Sequence, residues 1–156
     1  MKDSNLYKNT KSKIQVFVQE KSLLNNQDIS EIIYVWSIRI WIYNVLNLTD
    51  PKLNLKKFLN QYHLTESVMY IDELMRYISF SKKQKLDFKN LQCIYLGDGE
   101  KKLLKSISFT QNNLNRQNNL NDFMDESYIV DFNRCLKEIA IIYAKNGYFF
   151  SNKQSY

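Results

Sequence analysis

The stretch Ile32–Leu46, with the sequence IIYVWSIRIWIYNVL, is the most apolar part of the chain and decides its fold. At about 100° per residue, a helix places Ser30, Ser37 and Asn44 on one narrow polar stripe. This spacing favours a helix over a strand, although the isoleucines and valines would also suit a strand. The run is shorter than the roughly 20 residues that a bilayer requires, and Arg39 lies at its centre. We therefore expect a buried helix of a soluble domain and no membrane span.

Arg39 projects from nearly the opposite side of that helix, among apolar residues. A guanidinium cannot give up its proton to escape burial, so it requires carboxylate, phosphate or carbonyl acceptors. A structural salt bridge is the favoured interpretation, and its candidate partners are Asp72, Glu73 and Asp131. The alternative is an anion, acidic-peptide or small-molecule site centred on Arg39, which needs a pocket open to solvent. The candidate walls of that site, which are also candidate contacts for a protein partner, are Trp36, Trp41 and Tyr43.

The composition fits one globular domain over 1–156, since 44% of the 156 residues are hydrophobic and 24% are charged. The net charge of +6 by itself suggests an anionic partner. However, 18 of the 22 basic residues are lysine, and asparagine, isoleucine, tyrosine and phenylalanine are abundant too. A/T-rich codons encode all five residue types, so the basic balance is weak evidence for nucleic acid binding.

Residues that usually catalyse reactions or bind metals are scarce. Cys93 and Cys135 are far apart, and His63 is the only histidine, which excludes a Cys/His zinc set. A lone histidine is poor evidence of a general base, and phosphate loops need glycines that this chain lacks. Asp98 and Glu100 lack the other oxygen ligands of a calcium loop, so helix capping is the better interpretation. We expect no cofactor, no metal and no enzymatic activity.

Apolar spacing and capping signals predict an all-α fold, a single bundle of five to six helices around the central apolar helix. Asp50 before Pro51 is a clear helix start, because aspartate favours the N-cap and proline the first helical position. The other predicted N-caps are Asp28 or Ser30, Thr65 and Asp98. The predicted helices cover about 11–24, 30–46, 51–62, 66–79, 98–107 and 126–145.

Two segments allow other interpretations. Gly97-Asp98-Gly99 also fits a turn between two apolar runs, so a short β-hairpin over 91–109 is the alternative to the fifth helix. The Asn/Gln-rich segment 111–121 is too polar to drive packing beyond Leu114 and Leu120, which predicts a mobile linker or a frayed helix. After the last helix, we expect Tyr148, Phe149 and Phe150 to fold back onto the core.

The segments 55–62 and 66–79 loosely fit a helix-turn-helix, which a hairpin over 91–109 would extend to a winged helix. The would-be recognition helix, however, carries three acidic residues against Arg76 alone, the wrong balance for a phosphate-lined groove. The candidate phosphate contacts in this alternative are Lys52, Lys56, Lys57, Lys82, Lys83 and Lys85.

A set of dispersed residues forms a further pattern: Arg39-Ile40-Trp41, Asp50-Pro51, Glu100 with Leu103-Leu104, Gln111 and Gly147. It resembles a pattern in small helical proteins of alphaproteobacteria, which runs R-L-W, D-P, D-E-x-x-L-L, Q and a terminal A-x-x-G. Gly99 stands where that pattern has an acidic residue. Those proteins are uncharacterised, so the resemblance implies a bacterial, cytoplasmic setting and no activity or site.

These features together predict a small intracellular, non-enzymatic interaction or regulatory protein that binds another protein or itself. The polar N-terminus (1–10) contains no apolar signal segment, so we expect a cytoplasmic protein. A helix-turn-helix-like DNA-binding regulator is the first alternative, with nucleic acid as a less favoured partner. An anion or small-molecule sensor centred on Arg39 is the second.

Overall fold

The computed structural model describes residues 24, 27–116, 118–120 and 122–151. These residues form five α-helices and no β-strand. The helices are α1 (Ile29–Leu46), α2 (Pro51–Asn60), α3 (Val68–Phe80), α4 (Asp98–Asn112) and α5 (Glu126–Lys145), with a 3-10 helix, Thr65–Ser67, before α3. The predicted all-α bundle is confirmed, whereas the predicted helix over 11–24 lies, apart from Leu24, outside the described residues.

Helix α1 lies at the centre of the bundle and packs against α2, α3 and α4. Its polar stripe does not face solvent, because Ser30, Ser37 and Asn44 are each at most 2% exposed. Each of these side chains donates a hydrogen bond to a backbone carbonyl, such as that of Phe149 for Ser30. Helix α1 is therefore buried on two opposite sides.

Two helix starts follow the predicted capping. Asp28 is the N-cap of α1, and its N–H donates to the Glu31 carboxylate at 3.2 Å. Asp50 is the N-cap of α2, where its carboxylate accepts from the N–H of Lys52 at 3.0 Å. In both cases an acidic side chain satisfies backbone N–H groups that a helix start leaves open.

The other two predicted caps are wrong. Thr65 begins the 3-10 helix, so the N-cap of α3 is Ser67. Asp98 is the first residue of α4 and Gly97 is its N-cap. The Glu100 carboxylate accepts from the Gly97 N–H at 2.8 Å, so it caps this helix in place of Asp98.

Helix α5 has the predicted bounds and packs against α3 and α4. The helix ends at Lys145, and Gly147 two residues later has a φ of 82°, a left-handed conformation that glycine adopts without strain. The chain then returns to the core, where the ring of Phe150 stacks on that of Tyr143 with centroids 5.3 Å apart. Phe149 is 65% exposed, so the prediction that it packs on the core is wrong.

The Asn/Gln-rich segment is more involved in packing than its polarity predicts. Gln111 lies in the last turn of α4, and its amide donates to the carbonyls of Ala140 and Tyr148, both at 3.1 Å. The same amide accepts from the Phe150 N–H at 2.7 Å. The prediction of a linker that packs only through leucines is therefore wrong at Gln111. Of the two excepted leucines, Leu120 is 1% exposed, as expected, whereas Leu114 is 42% exposed.

The β-hairpin alternative over 91–109 is also wrong, because 98–109 belong to α4 and 91–97 form turns and extended chain. One described helix, α1, is long and apolar enough to cross a membrane by length and composition. Of its apolar window, 56% is buried within the bundle.

Candidate functional site

Arg39 and Glu100 form a buried ion pair between α1 and the first turn of α4. Arg39 Nε lies 2.7 Å from Glu100 Oε1, and Nη2 lies 2.9 Å from Oε2. Both side chains are 0% exposed. The guanidinium also donates to the carbonyl oxygens of Cys93 and Tyr95, each at 2.6 Å. Arg39 is thus satisfied within the protein and does not face an open pocket.

The three carboxylates predicted to neutralise this arginine have other contacts, so that prediction is wrong. Asp72 accepts from the indole N–H of Trp41 at 2.8 Å. Glu73 and Asp131 lie 2.7 Å and 4.0 Å from Arg134. The observed partner is Glu100, 61 residues downstream of the arginine. Its local sequence is typical of an ordinary helix start.

The ion pair also anchors the segment 81–97, which connects α3 to α4. Besides Arg39, the Glu100 carboxylate accepts from the N–H groups of Lys89 at 3.2 Å and Gly97 at 2.8 Å. The guanidinium binds two carbonyls of the same segment. A stretch with neither helix nor strand is therefore fixed against α1 at several backbone positions.

Two glycines allow this segment to lie directly on the start of α4. The Gly99 N–H donates to the Asp87 carbonyl at 2.8 Å. A Cβ at Gly99 would lie 2.8 Å from that oxygen and 2.9 Å from the Cβ of Leu86, and one at Gly97 would overlap the same oxygen. A larger side chain at Gly99 would therefore displace the segment.

The anchored segment is the third wall of an apolar surface groove, which we call the α1–α3 groove. Its apolar lining comprises Trp41, Ile42 and Leu46 from α1, Met75 and Ile78 from α3, and Leu86 and Phe88 from the segment. Its volume of about 620 Å³ lies within the range of about 300–1,000 Å³ that is usual for binding pockets. A hollow of about 330 Å³ adjoins it and shares four lining residues, so the surface continues beyond the groove.

The unpaired charge beside the groove is positive. Lys85 lines the groove, Lys82 lines the adjoining hollow, and Lys83 is exposed between them in sequence. None of these three ammonium groups forms an ion pair with a described residue. The one acidic lining residue, Asp87, is paired with Lys89 at 2.9 Å, and this hydrogen bond raises the pKa of the Lys89 ammonium.

Of the aromatic residues predicted as candidate contacts, the structure brings only Trp41 into the groove. Trp41 is 7% exposed, and its ring lies at the surface of the core. Trp36 is half-buried and Tyr43 is exposed, and neither lines the groove. The three do not surround Arg39 as walls of a cavity.

The lysines predicted as phosphate contacts fall on two elements, with Lys52, Lys56 and Lys57 on α2 and the others on the segment 81–97. The would-be recognition helix, α3, carries one cation, Arg76, whose Nε lies 3.0 Å from Asp72. This helix packs against α1, α2 and α5. The geometry therefore does not favour the DNA-binding alternative.

The thiol of Cys135 is a core group. It is 0% exposed and lies 3.5 Å from Glu73 Oε2. Burial and the neighbouring carboxylate raise the pKa of Cys135 to about 12, so the thiol stays protonated near neutral pH.

The described residues contain no group of three or more His, Cys, Asp or Glu side chains placed to hold a metal ion. His63 is exposed, with a φ of 60°.

Sequence reasoning missed Leu86, Phe88 and the role of Glu100. The two apolar residues stand in a lysine-rich stretch that resembles a solvated linker. The signal that could have identified them is their i, i+2 spacing, which places both side chains on one side of an extended chain.

Comparison of the chain with protein-family models, with curated proteins and with solved structures gave no match.

Proposed function

We propose that this protein is a small, non-enzymatic interaction protein that binds another protein through the α1–α3 groove in the bacterial cytoplasm. The observation that carries the proposal is the groove itself, an apolar surface hollow of about 620 Å³ with three walls. Soluble monomers rarely expose large contiguous apolar patches, and those that occur are often binding sites.

The way the groove is built supports this proposal. Leu46 is 77% exposed at its rim although it lies on the central helix of the bundle. The third wall has no secondary structure and is held in place by the buried Arg39–Glu100 pair. Such anchoring pre-organises the groove, which lowers the entropic cost of binding.

Replacement of Leu46 by aspartate tests the proposal. The side chain is exposed, so the protein should fold, but a carboxylate at the rim would be desolvated by a bound apolar partner. The partner is captured from a lysate of the source organism with tagged protein, identified, purified and titrated by calorimetry. We expect Leu46→Asp to weaken its binding at least about tenfold, or about 1.4 kcal/mol.

The matched control is Leu53→Asp, the same substitution at an exposed position of α2. Leu53 is 61% exposed and lies outside the groove lining. It should bind the partner as the unchanged protein does. Equal affinity for all three proteins, or an equal loss in both variants, would contradict the proposal. Sedimentation equilibrium of the protein alone shows whether the partner is a second copy.

A further inference from the structure

We propose that the α1–α3 groove binds an acidic, amphipathic segment of its partner, with apolar side chains in the groove and carboxylates on the lysines beside it. This inference rests on the proposed function, because it names the chemistry of the partner for the same groove. It is carried by the combination of an apolar groove lining and the unpaired cations Lys82 and Lys85 in the lining of the groove and the adjoining hollow.

The apolar floor is elongated. The groove and the adjoining hollow share Ile78, Lys85, Leu86 and Phe88 as lining residues. The combined surface therefore runs along residues 81–88 and fits a chain segment better than a single side chain. An amphipathic helix laid into an apolar groove is a common mode of peptide recognition.

Charge complementarity selects the acidic class of segment. Lys82, Lys83 and Lys85 carry three positive charges along the segment, and none has an ion-pair partner among the described residues. Of the carboxylates nearby, Asp87 is paired with Lys89 at 2.9 Å. Asp125 accepts from the backbone N–H of Lys82 at 3.2 Å and keeps its charge, so one carboxylate stands against the three lysines.

Two other classes of segment fit less well. A basic segment would bring like charges together at this edge, which opposes binding. A purely apolar segment would desolvate the lysines without offering acceptors. Carboxylates on the flank of the bound segment supply those acceptors and add electrostatic attraction during encounter.

The test uses two labelled peptides of about 15 residues with leucines in the same helical stripe. One peptide carries glutamates on the remaining face, and the other carries lysines at the same positions. Fluorescence anisotropy measures both affinities for the full-length protein at low and at physiological salt. We expect the acidic peptide to bind at least about tenfold more tightly, with a difference that shrinks as salt screens the charges.

Two triple variants with the same change in net charge separate a local effect from a general one. Lys82→Glu/Lys83→Glu/Lys85→Glu should abolish or reverse the preference for the acidic peptide. Lys52→Glu/Lys56→Glu/Lys57→Glu, which alters α2 outside the groove lining, should retain it. Leu46→Asp should weaken the acidic peptide at least about tenfold if the peptide lies in the groove.

Three outcomes would overturn the inference: equal binding of the two peptides, no binding of either, or an equal effect of both triple variants. A dimer that the acidic peptide does not displace would identify a second copy as the occupant and overturn it as well. The proposed function has its own readout, the affinity of the captured partner for Leu46→Asp, so either can fail without the other.

Discussion

At the scale of single residues, a buried arginine is tolerated because its donors meet acceptors from two sources. Glu100 neutralises the charge of Arg39 through two contacts. The carbonyls of Cys93 and Tyr95 accept hydrogen bonds from other N–H groups of the guanidinium. Removal of one partner of such a pair leaves an uncompensated buried charge, which costs far more than the pair itself contributes. The exposed pair Arg134–Glu73 carries no comparable penalty, because its charges stay hydrated.

We expect Arg39→Met and Glu100→Gln each to lower the free energy of unfolding by about 3–5 kcal/mol, measured by urea denaturation. The double variant should be at least about 1 kcal/mol more stable than the sum of the two losses predicts, because it leaves no unpaired charge. Arg134→Met, at the half-exposed pair, serves as the control and should cost less than about 1 kcal/mol. Strict additivity of the two buried substitutions would refute the coupling.

At the scale of elements, the segment 81–97 replaces secondary structure with backbone contacts to α4. The Asp87 carbonyl accepts a hydrogen bond from the Gly99 N–H at 2.8 Å, and the Glu100 carboxylate accepts one from the Lys89 N–H. Because this segment is a wall of the groove, the first turn of α4 controls the shape of the binding surface.

Gly99→Ala tests this dependence, because the higher helix propensity of alanine opposes a steric clash of its Cβ with the segment. Alanine in a helix is favoured over glycine by about 1 kcal/mol. Here its Cβ would lie 2.8 Å from a backbone oxygen and 2.9 Å from the Leu86 Cβ, so the segment must shift. We expect a net loss of about 1–3 kcal/mol in the free energy of unfolding.

The same variant should bind the acidic peptide less tightly, because Leu86 and Phe88 move with the segment. Asp98→Ala, an exposed substitution in the same turn, is the control and should change both readouts little. A Gly99→Ala protein that is more stable than the unchanged one, with intact binding, would show that the segment does not depend on this contact.

At the scale of the whole molecule, one core unites the described helices, and several of its ionisable groups are neutral. Tyr34, Cys135 and Tyr143 are all 0% exposed. Burial raises the pKa of Tyr34 and of Tyr143 above the usual 10.0, and that of Cys135 from 9.0 to about 12. Each group therefore loses its proton more readily in the unfolded chain than in the folded one.

This difference predicts alkaline destabilisation. The contribution of Cys135 to the free energy of unfolding is fully present below pH 9 and is lost as the pH rises toward about 12. Tyr34 adds to the loss at higher pH. Urea denaturation at a series of pH values should show a decline that begins above pH 9 and becomes shallower in Cys135→Ala.

Tyr34→Phe is a second variant for this experiment, and it removes only the hydroxyl group. The Tyr34 hydroxyl is buried without a hydrogen-bond partner among the described residues. Its removal should leave stability near neutral pH unchanged or raise it by up to about 1 kcal/mol, and should also flatten the alkaline decline. Tyr43→Phe, at an exposed site, should not alter the decline. A flat pH profile of the unchanged protein would disprove the prediction.

The sequence by itself determined the fold class and most helix bounds, because those depend on local signals. Asp50 before Pro51 fixed the start of α2, and apolar spacing followed by Gly147 fixed α5. The composition of Ile32–Leu46 likewise showed that its arginine requires buried acceptors.

Only the tertiary structure decided which acceptors those are and where the groove lies. Glu100 is 61 residues from Arg39, and its local role as a helix cap concealed its second role as the counter-ion. The groove combines α1, α3 and the segment 81–97, and no periodicity connects them. Helix formation depends on neighbours three or four residues apart, whereas ion pairing and groove formation depend on how distant elements pack, which local patterns do not encode.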